Sequence, residues 1–206
     1  LKWSVICVVI AGQCNSRVLG IQSSTQKPMI HTAQLIELTS PSGQDRVIVK
    51  RFGSRVVLAV ADGAGGRSGG AEAADLAVAA VSRNVPILQS QGDCERLLRE
   101  LDAAIGDDPA AGETTCVVVV VTLYQVVGAG VGDSGAWIVG SGGVDNLTQN
   151  QVRKPFLGTG TAVITGFSRS TLDGTLVLAS DGLLKYASRE AIATASRDFD
   201  LDGAAQ

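Results

Sequence analysis

The chain predicts an α+β fold, a sandwich of two stacked antiparallel sheets with helix pairs on the outside. Three observations carry that prediction. Short apolar, β-branched runs fall into two groups separated by Gly-, Pro- and Ser-containing turns. Two pairs of helical patterns accompany them. No linker, low-complexity tract or internal repeat divides the 206 residues, so residues 1–206 are expected to form a single domain. Apolar residues make up 45% of the chain and aromatic ones 4%, which leaves the core to Val, Leu, Ile and Ala.

The elements follow in order. Ser4 to Gly12 is an apolar run after Lys2, too short to span a bilayer and expected as a first core strand; a signal-peptide core is the alternative. A strand-like patch covers residues 34–38. Residues 46–61 predict a hairpin that turns at Arg51-Phe52-Gly53-Ser54, and its closure brings Asp45 to the same end of the sheet as Asp62. Ser68 to Arg83 predicts a helix with Leu76, Ala77, Ala80 and Val81 inward. Asp93 is expected to cap a second helix, with Leu97, Leu98, Leu101 and Ile105 inward and Gly106 as its stop. Thr114 to Leu123 predicts a strand whose run Val117 to Val121 implies burial on both faces. Gln125 to Val131 is its partner. Gly132-Asp133-Ser134 interrupts before Gly135 to Val139, residues 140–143 turn, and residues 152–160 are a loop. Thr175 to Ser180 is the last clear strand, and Ser188 to Ser196 a helix.

Chemistry concentrates where strands end. Val56 to Ala61 is an apolar run that stops at Asp62, and five glycines (63, 65, 66, 69 and 70) lie within the next eight residues. Such glycines let backbone approach a ligand. A Walker A loop is excluded, because Ala71 stands where its Lys belongs, and a dinucleotide fingerprint fails at Ser68. The pattern recurs at Thr175 to Ala179, Ser180, then Asp181-Gly182. Two carboxylates delivered by separate strands suit a hard divalent cation; an N-capping Asp62 and two unrelated turns are the bland alternative. Net charge is −3 with no basic block, which argues against nucleic acid. Cys7, Cys14, Cys94 and Cys116 form no C-x-x-C and are expected as buried, reduced thiols of a cytoplasmic protein. With His31 the lone histidine, a His-based relay is not expected.

Four ordered stretches give the chain its resemblance to the metal-dependent protein phosphatases of the PP2C type: Gln44-Asp45, Asp62-Gly63-Ala64-Gly65-Gly66, Gly132-Asp133-Ser134 and Ala179-Ser180-Asp181-Gly182-Leu183. Thr114-Thr115 and Leu147-Thr148 also look like the family, and Arg153 to Gly158 is similar to bacterial members. The resemblance spans residues 44–197 and implies a four-layer α-β-β-α sandwich. It implies hydrolysis of phosphoserine and phosphothreonine esters on proteins by a hydroxide bridging two Mn²⁺ or Mg²⁺ ions, with no covalent intermediate. It makes Asp62 and Asp181 the catalytic acids: Asp62 bridges both metals, the Gly63 carbonyl binds one and Asp181 the other. Asp45 and Gln44 match positions that hold metal-bound waters, and Asp133 resembles an acid of a third site. Thr115, Ser134 and Gly182 would support these ligands. The implied partner is a phosphorylated protein, the target of a Ser/Thr kinase, met by a monomer free of nucleic acid and membrane.

Departures are specific. Ala64 replaces a His that protonates the leaving group in many members, Lys185 stands at a position that is acidic where the third site exists, and no Arg stands near Ser40, where members carry one that binds phosphate. His31 is a candidate for that task, with a satisfied structural histidine as the favoured reading. These gaps support a rival reading, a catalytically weak pseudophosphatase that binds phosphoproteins. Members also close with a further acidic strand, whereas Asp198, Asp200 and Asp202 sit among non-strand residues, so the expectation is a chain that continues beyond Gln206.

Overall fold

The computed structural model describes residues 43–64 and 69–196 in full, and 5–11 and 31–37 as backbone. Among the described residues ten strands form two antiparallel five-stranded sheets. The first sheet runs β2 (His31–Glu37), β1 (Val5–Ala11), β10 (Thr175–Ala179), β7 (Gly135–Gly140), β8 (Gly143–Asn146). The second runs β3 (Asp45–Phe52), β4 (Arg55–Asp62), β5 (Cys116–Val121), β6 (Val126–Val131), β9 (Thr165–Arg169). Helices α1 (Gly70–Asn84) and α2 (Gln91–Gly106) cover the second sheet, while α3 (Asp181–Tyr186) and α4 (Arg189–Ala195) belong to the first.

Period-two alternation builds the layers. Val56, Leu58 and Val60 of β4, with Val117, Val119 and Val121 of β5, face Leu176 and Leu178 of β10 between the sheets. The alternate residues Val57, Ala59, Ala61, Val118 and Val120 face Ala73, Ala77, Val81, Leu98 and Leu101 of the helices. On the far side Trp137, Val139 and Val177 pack against Ile192 and Ala193. Each Val, Leu or Ile side chain so withdrawn from water contributes about 1.5–3 kcal/mol. Alanines on α1 bring that helix close to its sheet. Gly128 serves a similar end in β6, since a Cβ there would collide with the Val118 carbonyl and the Phe167 ring.

Three expectations are corrected. The cap of α2 is Ser90, not Asp93: the Ser90 hydroxyl accepts from the Asp93 N–H at 3.2 Å while the Asp93 carboxylate accepts from the Ser90 N–H at 3.0 Å, a reciprocal capping box. Helix α1 begins at Gly70 rather than Ser68, which lies outside the described residues along with Gly65, Gly66 and Arg67. Strands β8 and β9 were absent from the expectation. Both are sheet edges, short and poor in apolar residues, and so carry little periodic signal.

Candidate active site

One end of the sandwich collects the acids. β4 ends at Asp62, β3 begins at Asp45, β10 ends two residues before Asp181, and β7 begins two residues after Asp133. Alternation also sets their direction. Asp62 is in step with Val56, Leu58 and Val60, and Asp45 with Val47 and Val49, so both point into the space between the sheets at its open end. The hairpin register sets Asp45 directly opposite Asp62.

Backbone around Asp62 is fixed from the neighbouring strand. The Thr115 N–H donates to the Asp62 carbonyl at 2.9 Å, the Thr114 hydroxyl donates to it at 3.0 Å, and the Asp62 N–H donates to the Thr115 hydroxyl at 3.1 Å. Thr115 in turn shares a 2.7 Å hydrogen bond with Ser134 across the inter-sheet space. Gly63 continues the register, its N–H donating to the Gln44 carbonyl at 3.2 Å. A side chain at Gly63 would collide with the Gly70 carbonyl, so the start of α1 approaches the end of β4 this closely only over glycine.

The electrostatics follow from this geometry. Asp62 is pushed up to about 9, by burial first and then by its hydrogen bond to Asp45 and the charges of Asp45, Asp181 and Asp133. Burial likewise raises Asp45, which is 5% exposed and hydrogen-bonds Asp62 and, at 3.5 Å, the Ser180 hydroxyl. Two facing carboxylates out of water demand a proton or a cation. Asp133 and Asp181 sit differently. Arg153 Nε donates to Asp133 at 2.8 Å, and the Lys185 ammonium hydrogen-bonds Asp181 while lying 3.5 Å from Asp133.

Every carboxylate expected at the site is therefore brought to this end. Among the described residues, no three Asp, Glu, His or Cys side chains form a ready-made metal-binding group. The donors come as two pairs plus the Gly63 carbonyl, which suits a hard cation that takes one or two carboxylates and keeps several waters. His31 belongs elsewhere: it pairs with Ala11, which pairs with Thr175, whereas Asp181 adjoins the Ala179–Cys7 rung. Those rungs are about 13 Å apart at 3.3 Å per residue. The acids at positions 198, 200 and 202 lie outside the described residues.

Sequence reasoning missed two supports. Gln151 Nε2 donates to the carbonyls of Gly132 (2.6 Å) and Ser134 (2.9 Å), clasping the turn that carries Asp133; nothing in the sequence marks it. Asp102 carboxylate oxygens accept from the N–H groups of Gly158 (2.8 Å), Gly160 (3.0 Å) and Ala162 (2.9 Å), fastening the loop after Arg153 to α2. An acid on the inward stripe beside Leu98, Leu101 and Ile105 was the available signal.

The sequence profile of the family described as protein phosphatase 2C matches residues 39–198. The chain belongs to the protein phosphatase 2C family. This makes it a protein serine/threonine phosphatase by membership. No curated protein matches it in sequence. Among solved structures the phosphatase is similar to Stp1 from Staphylococcus aureus, with a TM-score of 0.68 and 17% identity over 79% of this chain and 80% of that one. The S. agalactiae serine/threonine phosphatase has a TM-score of 0.66 and 20% identity, covering 80% of this chain and 84% of that one. The catalytic domain of PstP, determined with two manganese ions, has a TM-score of 0.65 and 18% identity over 97% and 89% of the two chains. At these identities the likeness is one of fold. Among the described residues no helix is long and apolar enough to cross a membrane. Cys94 and Cys116 are buried free thiols, each pushed up to about 12 by burial.

Proposed function

We propose that this phosphatase hydrolyses phosphoserine and phosphothreonine esters on proteins with two divalent cations, Mn²⁺ or Mg²⁺, held by Asp62, the Gly63 carbonyl and Asp181. The observation that carries the reading is the inter-sheet pair Asp45–Asp62, two facing carboxylates without a cationic side chain of their own among the described residues. When bound, such ions acidify water and neutralise phosphoryl oxygens.

The chain's own groups do the rest. Asp62, its backbone locked by Thr114 and Thr115, presents a carboxylate that need not reorganise during the reaction. Asp45, held by Ser180, is positioned with Gln44 to orient the attacking water and take its proton. Ser134 and Thr115 steady the opposite wall, and Asp181 opens α3 with Gly182 buried behind it. Ala64 carries no proton, so the leaving group takes one from solvent or another group. The substrate is a phosphorylated protein, the target of a Ser/Thr kinase, met by a cytoplasmic monomer without nucleic acid or membrane.

Hydrolysis of an aryl phosphate and of a phosphothreonine peptide tests this. Activity that needs Mn²⁺ or Mg²⁺ and disappears with EDTA is expected. Activity undiminished by chelator would overturn the metal reading. Binding of the phosphopeptide without turnover would favour the phosphoprotein-binding alternative, which Ala64 motivates.

A further inference from the structure

The four carboxylates of the site are unequally compensated. Among the described residues Asp45 and Asp62 have no cationic side chain on them: neighbouring Arg46 commits its guanidinium to Asp75 and to the carbonyls of Gly43 and Asp45. Asp133 has two cations, Arg153 Nε at 2.8 Å and Lys185 Nζ at 3.5 Å, and Asp181 shares the second of these through Oδ2. One ammonium thus spans two carboxylates from different elements, the β6–β7 turn and the start of α3.

We propose that Lys185 is a resident cation of the site, closing the gap between Asp133 and Asp181 to any further divalent ion. The exchangeable cations are then confined to Asp62, the Gly63 carbonyl, the remaining oxygen of Asp181 and neighbouring Asp45. The proposal rests on the divalent-cation reading of that pole. Three features hold the ammonium in place. Asp181 and Lys185 are four residues apart on α3 with the acid first, the favourable order for a helical ion pair. The ammonium is tethered, so an incoming ion must displace a group that cannot diffuse away. Arg153 adds a second positive charge on Asp133, which repels a competing cation. The Lys185 side chain is 38% exposed, so the place is reachable from solvent, and occupancy rather than access excludes an ion.

The test is the number of Mn²⁺ ions bound per chain at saturation, counted by EPR of the free ion. Lys185→Gln and Lys185→Met, two neutral variants checked for folding by circular dichroism, are expected to bind one more ion than the unaltered phosphatase. Lys185→Arg, which keeps the charge, is expected to bind the unaltered number. Adding Asp133→Asn to Lys185→Gln is expected to remove the extra ion. If the unaltered protein binds Mn²⁺ and the neutral variants bind no more, the resident-cation inference is overturned and the proposed function stands. If none of the proteins binds Mn²⁺, the proposed function falls and this inference with it.

Discussion

Among the described residues Asp62 differs from every other acid in being both opposed by a carboxylate on the facing strand and fixed through its backbone by Thr114 and Thr115. Replacing it by Asn removes the charge while leaving the apolar strand behind it intact. Metal-dependent hydrolysis is expected to drop by at least about a hundredfold, the loss typical of deleting a dominant electrostatic element. Asp133→Asn, which removes a carboxylate that Arg153 and Lys185 already compensate, is expected to cost less. Steady-state kinetics on the two variants would show it, and equal modest losses would contradict a bridging Asp62. Ala64 supports a second expectation. A His there supplies a proton that alkyl leaving groups need and aryl ones do not. Ala64→His is therefore expected to raise rates on alkyl phosphates more than on aryl phosphates, and no difference would mean another group already supplies the proton. At this scale the acids were legible in the sequence because strand and Asp-Gly tip recur. The cations against Asp133 were not, because Arg153 reaches it from a loop twenty residues away. Lys185 did carry a signal, four residues after Asp181 on a helix.

Elements place the site more than they decorate it. The hairpin β3–β4 was readable because its apolar alternation ends at an acid on each strand, and closing it forces Asp45 onto Asp62. Edge strands β8 and β9 were not readable, since burial on one short face leaves too few apolar positions to show a period. Helix α2 has a role beyond covering the sheet. Through Asp102, 7% exposed, it holds three consecutive alternate N–H groups of the loop between Phe156 and Ile164. Hydrogen bonds to a charged acceptor contribute about 1.5–3 kcal/mol each, and several share this carboxylate. Asp102→Ala is expected to destabilise the fold by about 3 kcal/mol in urea unfolding, with Asp102→Asn costing less because one oxygen still accepts. A loss within about 0.5 kcal/mol would show that the loop is held by other contacts.

Across the whole molecule the acid pair couples stability to pH. Asp62 is raised from 3.8 to about 9, so the folded state holds a proton that the unfolded chain releases near 3.8. That stabilisation is complete below 3.8 and is lost as pH climbs through about 9. Asp45, raised by the same burial, acts in the same direction. Asp93 and Asp145 are held low, by Ser90 and by Arg169 first, and change charge below this window. The metal-free phosphatase is expected to melt at progressively lower temperature between pH 5 and 9, and saturating Mn²⁺ to oppose the fall by replacing the proton. A metal-free melting temperature that rises over that range would contradict the buried pair. The claim on which everything else depends is that the acids between the sheets form a divalent-cation centre. Calorimetric titration with Mn²⁺ of the unaltered phosphatase beside Asp62→Asn tests it most directly. Binding by the first and its loss or severe weakening in the second is the expected result; equal affinity in the two would contradict the account.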